Sequence, residues 1–382
     1  MRCLYIGRSL GLPRADSVTL SPARGRFLQP CPGRPSKDRG PMTHTRPERL
    51  KRMLQTLNRI FLLALISISS ASCYAQEHPG AEDFARKAAE EHALDEQQIL
   101  TLLRSAHFKQ SIIDAISRPA EAKPWYQYRP IFLTRERIEG GVRFWRDNEA
   151  LVAAAARQYG VEPQYVVAII GVETYYGRIT GGYRVLDALA TLSFHYPDTG
   201  NDRSAFFSSE LLNFILLGEE EGLPLHEVTG SYAGAMGLGQ FMPSSYRAYA
   251  VDLDGDGRRD LWSSLDDVIG SVANYLHRHG WKHGEPVVRR LERAAGADAS
   301  LVAERDFKPR HSVEELKAAG YTPAGEAAPD ALGVVVRLDE EGAKSYWLAF
   351  HNFYVITRYN RSPLYAMAVH ELSEEIRTGM GR

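Results

Sequence analysis

Glu173 lies within Ile169-Ile170-Gly171-Val172-Glu173-Thr174-Tyr175-Tyr176-Gly177, and a carboxyl group in such company is suited to proton chemistry. Ile170, Ile169 and Val166 precede it by three, four and seven positions, so at helical periodicity the four side chains share one face. The glutamate is therefore expected on an apolar stripe and at least partly buried. Burial disfavours a charged carboxyl and keeps a glutamic acid protonated near neutral pH, the state a general acid needs. The same position also suits a core glutamate satisfied by a salt bridge or by backbone donors.

A second group of residues is Gly230-Ser231-Tyr232-Ala233-Gly234-Ala235-Met236-Gly237-Leu238-Gly239-Gln240-Phe241-Met242-Pro243-Ser244-Ser245-Tyr246. Its glycines let the backbone pass close to another surface or to a ligand. A phosphate loop is excluded, because neither the Lys nor the Ser/Thr of that motif follows them. A tight connection between helices remains one reading. Ser231 and Gln240 also offer hydroxyl and amide groups of the sort that hydrogen-bond a sugar, with Phe241, Met242 and Tyr246 as apolar partners.

The third group, Asp252-Leu253-Asp254-Gly255-Asp256-Gly257-Arg258-Arg259-Asp260-Leu261-Trp262, opens like an EF-hand loop. Alternate aspartates place oxygens close enough to wrap a hard cation, and the glycine permits the sharp turn. Asp252, Asp254 and Asp256 are the expected calcium ligands, with Arg258 supplying only its backbone carbonyl; Ser263 stands where the usual closing glutamate would be. The ion's role would be structural.

These groups need helices to position them. Amphipathic spacing from Glu82 to Ser117 gives two or three helices, and Pro119, Pro124 and Pro130 then imply an extended stretch over Lys123–Pro130. The aromatics of that stretch either line a groove or wedge it onto the core. Further helices are expected over Gly140–Tyr159, Pro163–Tyr176, Ser204–Gly218 and Ser264–His279, with Pro163 in a first turn and Gly280 as a stop. Between them His195–Asp202 reads as a loop. Val334–Val336 and Tyr346–Leu348 are strand-like, and a last helix runs from Ser362 to Arg377. The fold class is mainly α with an α+β part.

The chain has 382 residues and 44% apolar content, enough for one large domain or a few modest ones. With 46 Lys and Arg against 47 Asp and Glu, there is no broad electrostatic case for nucleic acid or an anionic membrane surface. Residues 1–75 read as a leader begun too far upstream, followed by a signal peptide. Arg46, Arg49, Lys51, Arg52 and Arg59 form its basic region and Ile60–Ile68 its apolar run, too short for a comfortable membrane span. Cleavage after Ala75 leaves Gln76 as the mature start, whereas lipidation at Cys73 would give an outer-membrane anchor. Cys3, Cys31 and Cys73 all precede that start, so cleavage after Ala75 leaves neither disulfides nor thiol chemistry.

Val166–Thr174, Leu186–Phe194, Gly234–Tyr246, Gly270–Tyr275 and Asn352–Asn360 together resemble the lytic murein transglycosylase B family, in consistent order across Trp125 to Ile376. The resemblance implies a lysozyme-like helical core. It implies a periplasmic, monomeric enzyme that cuts the β-1,4 bond between N-acetylmuramic acid and N-acetylglucosamine in peptidoglycan strands, leaving 1,6-anhydro ends. It also implies Glu173 as the single acid and base, and substrate contacts from Ser231, Gln240, Met242, Tyr128, Tyr275, Tyr354, Tyr359, Asn360 and Arg203. Asp202 departs from the family pattern, standing where some relatives have a second arginine. A longer metal loop closed by Asp267, or by its neighbour Asp266, is implied as well. Asp187 is the tempting second acid, but in Leu186-Asp187-Ala188-Leu189 it reads as capping or anchoring a helix. The domain division expected is a helical region over 76–135, the catalytic core over 136–285, an α+β insertion over 286–350 and a return to the core over 351–382.

Overall fold

The computed structural model describes residues 78–118 and 122–382. The leader, signal and Cys73 readings lie outside them.

Three short helices come first, α1 (Ala81–His92), α2 (Glu96–Arg104) and α3 (Gln110–Ile116). Asp95 caps α2 by accepting from the backbone N–H groups of Gln97 and Gln98, two of the donors a helix start leaves unpaired. Next is α4 (Trp125–Phe132), where the prolines imply extended chain. Pro130 sits inside this helix. It removes one ladder hydrogen bond, while Trp125, Tyr128 and Phe132 fall on one face and are 2%, 0% and 2% exposed. Burying an aromatic side chain of that size contributes roughly 1.5–3 kcal/mol, comparable to the cost of an internal proline. The core reading of these aromatics therefore prevails.

The single helix expected over Gly140–Tyr159 is two, α5 (Arg135–Asp147) and α6 (Glu149–Tyr159). Asn148 divides them: its backbone leaves helical geometry at φ −120°, and its side-chain amide donates to the Phe144 carbonyl. Helix α7 (Pro163–Thr174) begins with proline in its first turn, and every residue from Tyr165 to Thr174 is buried. The apolar stripe read from spacing is thus the whole circumference: α7 is a central core helix, not an amphipathic one. It is followed in the chain by α8 (Val185–Phe194), α9 (Ser204–Glu221), α10 (Pro243–Tyr249) and α11 (Leu265–Arg278).

A short strand pair joins the loops beside α7: β1 (Tyr183–Arg184) runs antiparallel to β2 (Thr229–Gly230), pairing Tyr183 with Gly230. The larger sheet contains β3 (Val288–Arg293), β4 (His311–Ser312), β5 (Tyr321–Pro323), β6 (Leu332–Glu340) and β7 (Ala343–Ala349), ordered β4-β6-β7-β3-β5. Alternation along β6 sends Val334, Val336 and Leu338 into the main core, while Val335 joins a second cluster with Leu291, Leu316, Tyr321 and Leu348. That second cluster includes Val313 on α12 (Val313–Ala318), whose start carries a Ser312/Glu315 capping box. The chain returns to the main core through α13 (His351–Tyr359) and α14 (Pro363–Gly379). Among the described residues no helix is long and apolar enough to cross a membrane.

Candidate active site

Glu173 is 8% exposed and sits in the last turn of α7. The helix stops directly after it, because Tyr175 and Tyr176 take left-handed φ values of 53° and 59°. Thr174 secures this end to the glycine-rich segment: its hydroxyl donates to the Leu238 carbonyl at 2.9 Å and accepts from the Gly177 N–H at 3.1 Å. The carboxyl group itself is oriented by Tyr365, whose hydroxyl donates to Glu173 Oε1 at 2.7 Å.

Tyr365 is a site residue that sequence reasoning does not find. Ser362 caps α14 by accepting from the Tyr365 N–H, and Pro363 fixes the first turn, so the local sequence sets where Tyr365 starts. Its partner lies 192 residues away, however, and no local signal reports that. Phenylalanine at 365 should lower kcat about tenfold at unchanged KM, the cost of one hydrogen bond to an ionisable group. An unchanged kcat would show that the hydroxyl is dispensable.

The side chains expected to contact sugar divide into two sets. Tyr128 and Ser231 have no exposed surface. The Tyr128 ring lies 5.1 Å from that of Phe132 within the core, and Ser231 Oγ accepts from the N–H groups of Ala233 and Ala235. Aromatic packing and loop closure are the contacts the structure shows for these two side chains. Tyr275 and Tyr359 are also spent on architecture at their hydroxyls, donating to the carbonyls of Arg358 and Gly239, and their rings pack 4.6 Å apart. Gln240, at φ 49°, donates to the carbonyls of Thr180 and Gly237 and so pins the loop that follows α7 against the glycine-rich segment. Met242 and Asn360 are buried at 4% and 2%, and Tyr354 is half-buried beside His351. Arg203 lies 4.4 Å from the centre of the exposed Phe206 ring. Asp202, the departure from the family pattern, accepts from the Ser204 N–H and hydroxyl and so steadies the start of α9.

Asp187 is not placed to be a second acid. It is 4% exposed and held by the Arg184 guanidinium, by the His107 N–H at 2.9 Å and by Lys109 at 3.9 Å, which anchors α8 to the segment before α3. Glu210, buried at 4%, likewise serves structure by accepting from the Ser244 N–H and hydroxyl at the start of α10.

In the aspartate loop, Asp252, Asp254 and Asp256 each bring a carboxylate oxygen within 4.8 Å of the others. Oxygens that close fit around an ion with contacts of about 2.3–2.6 Å, as calcium requires. The loop is already shaped for it: Asp252 accepts from the N–H groups of Gly255, Asp256 and Gly257. Asp267 lies outside this cluster and has both oxygens engaged, accepting from the Leu253 and Asp260 N–H groups at 2.7 Å each. It braces the two limbs of the loop. Burial, with the charges of Asp254 and Asp252 adding, pushes its carboxyl above the ordinary range against those two donors.

A lysozyme-like class of glycan-cleaving protein is defined by this frame, a core helix ending in one buried glutamate beside a glycine-rich wall. The transglycosylase SLT domain profile matches residues 76–374, and the chain belongs to that family. It is 41% identical over 309 residues to membrane-bound lytic murein transglycosylase B of Escherichia coli K12, covering 78% of this chain and 83% of that one. Soluble lytic transglycosylase SltB1 of Pseudomonas aeruginosa superposes with a TM-score of 0.73 at 46% identity, over 80% of this chain and all (100%) of that chain. The Escherichia coli lytic transglycosylase Slt35, solved in complex with calcium, gives 0.71 at 40% identity over 80% and 95%. SltB3 of Pseudomonas aeruginosa, solved with NAG-anhNAM-pentapeptide, gives 0.65 at 28% identity over 79% of each chain. The chain is therefore an enzyme of the lytic transglycosylase kind.

Proposed function

We propose that the enzyme cuts the N-acetylmuramic acid to N-acetylglucosamine β-1,4 bond of peptidoglycan strands and leaves a 1,6-anhydro end, with Glu173 as sole acid and base. The observation that carries this reading is the placement of Glu173: a buried carboxyl at the end of a core helix, held by Tyr365. Protonated Glu173 donates to the leaving glycosidic oxygen. The resulting carboxylate then takes the proton of the muramyl C6 hydroxyl as that oxygen attacks the anomeric carbon, so proton and bond counts close without water. Ordinary glycosidases need a second carboxylate to supply or activate a nucleophile. Here the nucleophile is tethered to the substrate, and a well-oriented intramolecular attack can replace about 7–11 kcal/mol of that help. The engagement of Asp187 elsewhere supports this economy of acids. Muropeptide analysis of digested sacculi tests the reading: anhydro ends are expected, and reducing ends would make the enzyme a hydrolytic muramidase.

Tyr128, Ser231, Gln240, Met242, Tyr275, Tyr354, Tyr359, Asn360 and Arg203 are the residues proposed to meet the strand. Among them Tyr275 and Tyr359 brace the glycine-rich segment through their carbonyl-bound hydroxyls and packed rings. Export to the periplasm through the 1–75 leader belongs to the same reading, and the family match beginning at residue 76 supports it. A division into a helical region over 76–135, a catalytic core over 136–285, an insertion over 286–350 and a return over 351–382 is proposed with it.

Calcium is proposed as a structural ion at Asp252, Asp254 and Asp256 with the Arg258 carbonyl, the ring being completed by Asp266 or Asp267. Saturating calcium, at about a hundredfold over its dissociation constant, should stabilise the fold by roughly 2.7 kcal/mol. Thermal melting with and without calcium reads this as a shift of several degrees that disappears in Asp252→Ala/Asp254→Ala. A flat titration would remove the metal from the account.

A further inference from the structure

Two hydrogen bonds join the end of the aspartate loop to the helix that carries Glu173. Leu261, which is buried at the loop's exit, accepts through its carbonyl from the Leu238 N–H at 2.8 Å. The carbonyl of the same Leu238 accepts from the Thr174 hydroxyl at 2.9 Å. Thr174 is the last residue of α7 and the chain neighbour of Glu173. Its oxygen also accepts from the Gly177 N–H at 3.1 Å, so one hydroxyl ties the glycine-rich segment to the turn that stops the helix. A second acceptor competes for that hydroxyl: the Ile170 carbonyl, one turn back in α7, lies at 3.2 Å.

The exit limb is itself held in place. At Gly237, where φ is 67°, an added Cβ would stand 2.4 Å from the Leu261 oxygen, so the glycine-rich segment lies directly on this limb. Asp267 accepts from the Asp260 N–H, Asp260 accepts from the Trp262 N–H at 2.8 Å, and the Tyr246 hydroxyl donates to the Arg259 carbonyl. The other oxygen of Asp267 accepts from the Leu253 N–H, between Asp252 and Asp254. One carboxylate therefore sets the position of Leu261 relative to the limb that bears the proposed ligands. Three like charges on that limb repel, and a divalent cation among them removes the repulsion and orders it.

We propose that Thr174 is a positioning residue for Glu173 and that, through Leu238 and Leu261, it makes cleavage answer to calcium at the aspartate loop. This rests on Glu173 as the acid and on the loop as a calcium site, and it adds regulation to an ion otherwise assigned to stability. With the loop ordered, Leu238 takes the Thr174 hydroxyl, which fixes the last turn of α7 and holds the Glu173 carboxyl toward Tyr365. With the loop loose, the hydroxyl returns to the Ile170 carbonyl of its own helix and the turn loses that tie.

The test compares the mature wild-type enzyme with Thr174→Val, which keeps the shape without the hydroxyl, and Thr174→Ser, which keeps the hydroxyl. Well below the melting temperature, Thr174→Val should lower kcat on soluble peptidoglycan strands about tenfold at unchanged KM, and Thr174→Ser should restore it. The reverse order, valine benign and serine damaging, would make the residue a packing group and overturn the proposal. Calcium should raise wild-type kcat toward the same limit of about tenfold. In Thr174→Val it should still raise the melting temperature and leave kcat where it is. Hydrogen exchange reads the path without turnover: calcium should slow exchange at the Leu238 and Gly177 amides of the wild type, and at Leu238 alone in Thr174→Val, where Gly177 has lost its acceptor. Calcium that raises the melting temperature while kcat and both amides stay unchanged overturns the coupling. A flat calcium titration removes the metal reading instead, and Asp252→Ala/Asp254→Ala then decides: faster exchange at Leu238 and Gly177 supports the path, and unchanged exchange overturns it. Should the wild type cut no strands, the proposed function fails by itself and the exchange measurement still decides.

Discussion

Glu173→Gln leaves a folded protein that binds glycan strands and turns over at less than about one percent of the wild-type rate. The substitution is nearly isosteric, and the amide oxygen can still accept from Tyr365, so the site keeps its shape. What disappears is the proton. General acid and general base assistance each contribute about 10²–10⁴ in rate, and both are assigned to this one carboxyl, so both are lost together. Melting temperature and glycan affinity should stay near wild type, which separates a chemical defect from a structural one. Turnover above about one percent would mean that another group supplies the proton.

Gly181→Ala should be the most damaging single methyl in the wall beside Glu173. A Cβ at this position would stand 2.1 Å from the Gly230 carbonyl oxygen and 2.7 Å from the Ser231 nitrogen, at a φ of 94°. The obstacle is backbone, held by the pairing of Tyr183 with Gly230, so it cannot rotate away. Steric overlap and left-handed backbone strain add, and a loss of at least about 4 kcal/mol is expected, among the large values for point substitutions. The protein should melt well below wild type or fail to accumulate. Gly182→Ala is the internal control, since nothing lies within 4 Å of its added methyl. Equal melting of the two variants would show that the loop following α7 yields freely and that the close approach is not required.

The positioning helix is legible in the sequence because its signals are local. Pro163 marks the first turn and an apolar run carries the helix to Glu173. The burial of Glu173 follows from that run, although α7 is buried all round and the one-sided stripe is an incomplete account of it. Helix α4 is not legible, because the prolines at 124 and 130 argue against helix while the burial of Trp125 and Tyr128 that outweighs them is tertiary. The break at Asn148 is a turn of its backbone out of helical geometry that periodicity does not register. Within the site, the aspartate loop is readable from spacing alone, since neighbouring residues supply the oxygens. Tyr365 depends on how distant segments meet.

The central claim is that a hydroxyl of the substrate, and not water, takes the anomeric carbon once Glu173 has protonated the leaving oxygen. Digestion of purified sacculi in water enriched in oxygen-18, followed by mass spectrometry of the released muropeptides, tests it most directly. The account predicts anhydro-muramyl ends carrying no heavy oxygen from the solvent. Reducing ends carrying one heavy oxygen per cut would contradict it.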